Sequence, residues 1–144
     1  MAFVPTTRPE IRAWLQRFHD VSDSLDADQL ETIYVKDARV QFSNHRVMIG
    51  VDSLRGFFLA IWPSLDTMKH TPDGFDMVND TIYQPCHIAW QVKGDPEKER
   101  IVIPAFAVFH LVMNGEDQGL IKSAEFYMDT SPLMAAIQRA SSST

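Results

Sequence analysis

The stretch from Ile101 to Asp129, IVIPAFAVFHLVMNGEDQGLIKSAEFYMD, constrains this chain more than any other. It reads as two long strands joined by NGEDQG, a loop rich in turn-forming residues. The first strand is apolar on both faces. Ile103, Ala105, Ala107, Phe109, Leu111 and Met113 alternate one way, and Phe106, Val108 and Val112 the other, with His110 among them. A strand of that kind has to be covered on both sides, by helices or by another subunit. In the second strand Ile121, Ser123, Glu125, Tyr127 and Asp129 share one face; Leu120, Lys122, Ala124, Phe126 and Met128 share the other. A hairpin register that sets Glu125 and Tyr127 beside the small Ala105 and Ala107 makes this face the floor of a pocket.

The cover for that hairpin comes earlier in the chain. Thr7-Arg8-Pro9-Glu10 reads as a capping box opening a first helix, and Ile11, Trp14, Leu15, Phe18, Val21 and Leu25 form its apolar stripe. Asp26 and Gln29 cap a second, shorter helix with Leu30, Ile33 and Tyr34 on its buried side. Ala38 to Ser43 alternates as a short strand, and Val47 to Ile49 is a stub ending at Gly50. Asp52 then caps a third helix whose face is Leu54, Phe57, Phe58, Ile61 and Trp62, stopped by Pro63. Lys69 to Gln84 reads as one long extended stretch, interrupted near its start, and Cys86 to Lys93 as the next strand. Ser131 and Pro132 open a closing helix, and the final SSST is expected to fray. Helices first and long antiparallel strands afterwards predict an α+β fold, with the early helices packed on one face of a curved sheet.

At 144 residues the chain is long enough for a single domain (1–144, core about 8–138) with its own hydrophobic core. A net charge of −6 removes the electrostatic basis for binding nucleic acid. Cys86 is the only cysteine, so no internal disulfide forms, and a reducing compartment suits the chain. The opening MAFVPTTRPE lacks the pattern of a leader, and no apolar run approaches the length of a membrane span. A cytoplasmic, soluble protein is expected.

Several pieces in this order resemble the nuclear-transport-factor-two-like superfamily, and within it the SnoaL-like group. They are the two opening helices, the run Tyr34-Val35-Lys36-Asp37-Ala38-Arg39-Val40-Gln41-Phe42, Gly50 before the third helix, Val102 to Phe109, and the closing Tyr127-Met128-Asp129. The resemblance spans roughly Pro9 to Ile137. It implies a curved antiparallel sheet wrapped around N-terminal helices, forming a cone with a deep apolar cavity. Its members include polyketide cyclases, ketosteroid isomerase, limonene epoxide hydrolase and scytalone dehydratase, alongside non-catalytic binding and assembly domains. Ketosteroid isomerase keeps acids on two strands; the matching positions here are Phe42 and Phe109, which argues against that chemistry. The arginine and two aspartates of limonene epoxide hydrolase are not seen either.

Within such a cone Glu125 is the first candidate for acid–base work, because a carboxylate desolvated in an apolar cavity trades protons nearer neutral pH. Its bland alternative is an edge carboxylate paired with a surface lysine. His70, which opens the strand after the third helix, is a second candidate, set against a satisfied or exposed histidine. Asp66 is near enough in sequence to orient it, but sits in a loop. Arg39 is either a cationic helper or a surface arginine, and Tyr127 either donates a hydrogen bond or only packs. Trp14, Phe18, Phe58, Trp62, Ala105, Ala107 and Phe109 are expected to bound the substrate cavity. His45, His87 and His110 lack metal-ligand spacing, so no metal is expected, and no phosphate loop or nucleophile elbow calls for a cofactor.

Two functions compete. One is a cofactor-independent enzyme that isomerises, cyclises, dehydrates or rearranges a bulky, apolar, oxygenated small molecule of secondary-metabolite type. The other is a non-catalytic small-molecule-binding or dimerisation module. Convergence of Glu125, Arg39 and His70 in one cavity separates them: if these groups face solvent, binding is favoured. In either case the apolar row Phe106, Val108 and Val112 predicts a homodimer through the outer sheet face, where relatives commonly pair.

Overall fold

The computed structural model describes residues 3–142. Met1, Ala2, Ser143 and Thr144, and with them half of the tail expected to fray, lie outside the described residues. Thr7 opens α1 (Arg8–Asp23) with the expected box: its hydroxyl accepts from the Glu10 N–H, and the Glu10 carboxylate accepts from the Thr7 N–H. Ile11, Trp14, Leu15, Phe18 and Val21 of the stripe are buried, with His19 and Ser22 beside them, whereas Leu25 falls past the end of the helix and is only part-buried. Asp26 caps a short 3₁₀ helix (Ala27–Thr32) by accepting from the Asp28 N–H.

Tyr34 does not belong to that helix. It opens β1 (Tyr34–Phe42), because pairing with Ile121 across the sheet outweighs the local helical spacing. After β2 (Met48–Ile49) comes α2 (Val51–Leu59). Gly50, at φ 96°, holds its N-cap position without a side-chain cap; Asp52, expected there, sits in the first turn and pairs with Arg55 at 2.7 Å. The helix ends at Leu59, so Ile61 falls beyond it and Trp62 begins a 3₁₀ turn (Trp62–Ser64) with Pro63 in its first positions. The long extended stretch resolves into β3 (Leu65–Pro72), β4 (Asp76–Val78) and β5 (Thr81–Val92). The central hairpin is β6 (Ile101–Leu111) and β7 (Ile121–Met128), followed by α3 (Ser131–Ser142).

The strands form one curved sheet in the order β2-β1-β7-β6-β5-β3, with β4 added to β5. All pairs are antiparallel except β1 with β7. Helix α1 lies against β3, and the buried core between helices and sheet includes Trp14, Leu15, Phe18, Leu54, Ile82, Phe109 and Ile121. Trp14 donates its indole N–H to the Gly119 carbonyl at 2.8 Å. Gly119 is required there: its φ is 84°, and a Cβ would stand 2.4 Å from the Phe3 carbonyl oxygen.

The hairpin register decides which residues reach the interior. Leu111 pairs with Ile121 but His110 pairs with Ser123, so the ladder shifts at Lys122. Ile121 therefore points inward, while Ser123, Glu125 and Tyr127 point outward. Ala105 and Ala107 face Met128 and Phe126 across the ladder, and Glu125 faces Val108. The expectation that Glu125 and Tyr127 share a floor with the two alanines is thus overturned by a one-residue irregularity, which reverses the alternation.

Helix α3 covers one side of the sheet with Leu133 and Ala136 buried. Arg139 anchors it: its Nε and Nη2 donate to the two oxygens of buried Asp95 at 3.1 and 2.9 Å. That bond holds the Asp95 carboxyl down at about 2. The Ser141 and Ser142 hydroxyls donate to the carbonyls of Ile137 and Gln138, so the start of the SSST run is ordered helix.

Candidate active site

The inner side of the sheet, the end of α1, α2 with the turn after it, and α3 enclose a cavity of about 150 Å³. Its wall is built from Phe18, Phe42, Phe58, Trp62, Trp90 and Phe126, with Ala105 and Ala107 making room on β6. Phe18 packs edge-to-face on Phe109 and Phe58 stacks on Trp62 at 4.3 Å, so the aromatic wall is braced by rings behind and beside it. The thiol of Cys86 is also on this wall; burial pushes its pKa up to about 12, so it remains a protonated packing group. The Tyr34 phenol lines the cavity as well, and its burial likewise raises its pKa.

Besides Ser22, Tyr34, His45 and Thr130, a linked polar cluster meets the apolar wall at the end of α1. His19 and Asp23 lie four residues apart and so share a helix face. Across from them, β3 carries His70. The ring Nδ1–H of His70 donates to Asp23 Oδ1 at 2.6 Å, and the His70 backbone N–H donates to Asp23 Oδ2 at 3.1 Å. A carboxylate only accepts, so in the neutral His70 ring Asp23 selects the tautomer with the proton on Nδ1, which leaves the Nε2 lone pair facing away from Asp23. Both side chains are largely withdrawn from solvent, with 10% of His70 and 16% of Asp23 exposed. His70 lines the cavity, and among the described residues its Nε2 has no hydrogen-bond partner.

His19 stacks on His70, with ring centroids 5.1 Å apart and planes 11° from parallel. Burial, and secondarily the neighbouring His70, lowers its pKa to about 4, so this ring stays neutral. Its Nε2 lies 3.1 Å from Gln84 Oε1. Gln84 sits on β5, 1% exposed, on the cavity wall, and its Nε2 is buried without a partner. Three elements therefore converge in the order Asp23–His70–His19–Gln84. This arrangement can take a proton from, or return one to, a molecule held against an apolar wall.

Of the residues the sequence singles out, the cavity brings together His70, Phe18, Phe58, Trp62, Ala105 and Ala107. Trp14 and Phe109 are buried behind the wall rather than on it. Glu125, Arg39 and Tyr127 do not join them. Glu125 is on the outer sheet face, where both its oxygens lie 3.0 Å from His110 Nε2. Arg39 is exposed on β1 opposite Ser123, and Tyr127 is 54% exposed. Asp66 is exposed and makes no bond to His70; Asp23 takes the orienting role instead. Asp23, His19 and Gln84 are the residues that sequence reasoning missed. Their signal was present: His19 follows Leu15 at i+4 on the apolar stripe, and Gln84 interrupts the inward row Ile82, Cys86, Ile88, Trp90. Among the described residues no three histidine, cysteine or acidic side chains are placed to hold a metal ion.

No family model matches the sequence, and no curated protein matches it significantly. Solved structures do. A protein from Shewanella denitrificans, described as a SnoaL-like polyketide cyclase, superposes with a TM-score of 0.72 at 12% identity, covering 91% of this chain and 98% of that one. The fold is that of the SnoaL-like, nuclear-transport-factor-two-like proteins. The epoxide hydrolase/cyclase-like enzyme SalBIII, which takes part in pyran ring formation in salinomycin, matches this cone at a TM-score of 0.68 and 16% identity, over 83% of this chain and 91% of its own. An epoxide hydrolase of Mycobacterium tuberculosis resembling limonene epoxide hydrolase shares the cone too, at a TM-score of 0.66 and 11% identity, with 91% of each chain covered. Among the described residues no helix is long and apolar enough to cross a membrane.

Proposed function

We propose that this protein is a cofactor-independent acid–base enzyme acting on a bulky, apolar, oxygenated small molecule. The observation that carries this reading is the Asp23–His70 pair opening onto an apolar cavity. With Nδ1–H committed to Asp23, Nε2 of His70 is the free base. It would take a proton from a carbon or hydroxyl of the bound molecule and return it at another position or to a leaving oxygen. Isomerisation, cyclisation, dehydration and rearrangement all reduce to that transfer in a fixed substrate shape. Asp23 would hold the ring in place and offset its charge while the proton is on it. The protein would work as a homodimer through the outer sheet face, where Phe106 of the expected row is exposed together with Tyr83, Val102 and Tyr127, although Val108 of that row is buried within the protomer and Val112 is half-buried. Light scattering at micromolar concentration tests the dimer, and a single monomer-sized species contradicts it.

The catalytic reading is tested by following solvent-deuterium incorporation beside the carbonyl of 2-tetralone, a bicyclic ketone with one aromatic ring, by proton NMR. The wild-type protein should accelerate exchange over buffer, and His70→Gln should lower that rate by about 10²–10⁴ while still binding the ketone. A second reading, the non-catalytic binding module, is favoured by one observation: Glu125, Arg39 and His70 do not converge. A wild-type protein that binds 2-tetralone without accelerating exchange would establish that reading instead.

A further inference from the structure

Beyond the proton-transferring pair, the cavity contains a polar group to which the pair gives no task. Gln84 is 1% exposed, and its carboxamide oxygen is taken by His19 at 3.1 Å, yet its Nε2 is buried with no partner among the described residues. A buried amide N–H without an acceptor is destabilising, and native interiors carry few such groups. Gln84 is one of the residues lining a cavity whose other lining is mostly aromatic and aliphatic, and its amide nitrogen lies just beneath that surface, within reach of a ligand oxygen after a small side-chain turn. It also lies one imidazole away from His70, since His19 bonds to Gln84 and stacks on His70.

We infer that Gln84 is the specificity-determining residue of this cavity, its carboxamide N–H receiving a carbonyl oxygen of the ligand. The ligand class is therefore a ketone, aldehyde or ester on an apolar frame, in preference to a hydrocarbon of the same shape. The neutral His19 orients the amide: it occupies the carboxamide oxygen and leaves the nitrogen for the ligand. Its low pKa is consistent with a ring that has to remain uncharged in this position. A site built to hydrogen-bond one oxygen discriminates against analogues lacking it, because its own polar group is then left unpaired. The carbonyl so held would sit beside His70, where the adjacent carbon–hydrogen bond is the one the base can reach.

This inference rests on the proposed cavity site, and its test is binding rather than turnover. Quenching of the cavity tryptophans Trp62 and Trp90 reports the affinity of 2-tetralone and of tetralin, its hydrocarbon counterpart. The wild-type protein should bind the ketone more tightly than tetralin by roughly tenfold, the worth of one well-formed hydrogen bond. Gln84→Met should remove that preference while binding tetralin as before. His70→Gln should retain the preference and lose only exchange, so failure of the catalytic reading leaves this result standing. Should Gln84→Met fail to fold, the Gln84 side-chain amide resonances of the wild-type protein decide the matter. They should move downfield with 2-tetralone and stay in place with tetralin. Equal affinity for the two compounds, a preference that survives Gln84→Met, or amide resonances indifferent to the ketone would each overturn the assignment.

Discussion

Carboxylate–imidazole pairs occur on both faces of the sheet, and the inner pair differs from Glu125–His110 on the outer face in what it leaves free. On the inner face Asp23 and His70 meet at 2.6 Å with little solvent exposure, and one ring nitrogen remains open to an apolar cavity. On the outer face Glu125 and His110 meet at 3.0 Å with about twice the exposure, 31% and 28%. There the second ring nitrogen is taken by Thr81 Oγ1 at 3.1 Å, and Thr81 in turn donates to Asp80, which pairs with Lys122. The functional groups are the same, but the outer pair is a closed network lying against solvent or a partner, and the inner one is open toward a ligand. An acid beside a histidine is therefore not a site; a free nitrogen facing a cavity is what separates the two.

The largest expected effect breaks or upholds that contrast directly. In the deuterium-incorporation assay, Asp23→Asn should lose about 10²–10⁴ in rate, because an amide can present either an oxygen or an N–H to the ring and no longer fixes its tautomer. Glu125→Gln should stay within a few-fold of wild type. A reversal, with Glu125→Gln inactive and Asp23→Asn active, would move the chemistry to the outer face.

A substitution on the inner face alone sharpens the comparison by volume. Ala107 faces the cavity, and Ala107→Phe should put its ring into open space, weakening 2-tetralone binding at least tenfold while the melting temperature falls little. Unfolding of Ala107→Phe would mean that this position is packed core.

The smallest effect is in stability. The pKa of His19 lies at about 4 in the fold against 6.5 when unfolded, so protonation is easier in the unfolded chain. Its stabilising contribution is complete above pH 6.5 and declines as the pH falls toward 4, by roughly 3 kcal/mol in all. Urea titrations across that range should show the decline in the wild-type protein and a shallower one in His19→Leu. An equal slope in both would place the proton uptake at a group other than His19.

Much of the cone was legible in the chain. The capping box at Thr7, the stripe of α1 and the double-faced β6 all follow from local periodicity, and together they require helices over a sheet. The site was less legible because it depends on parity and on distance. Lys122 adds one residue to β7 opposite Leu111, which reverses the face of Glu125 without leaving a mark on the alternation itself. Asp23 and His70 are 47 residues apart and meet only because α1 crosses β3. The polar interruptions at His19 and Gln84 were visible as departures from apolar rows. An apolar row with one polar member is thus a better pointer to a site than an isolated acid on a strand.

The most direct test of the central claim is the protonation of the His70 ring, read by ¹⁵N–¹H correlation NMR of the histidine-labelled protein. A proton on Nδ1, shifted downfield by its bond to Asp23, is expected, with an unprotonated Nε2 whose resonance moves when 2-tetralone is added, while His110 does not respond. A proton on Nε2 of the neutral ring, or a response to the ketone at His110 and not at His70, would contradict that claim.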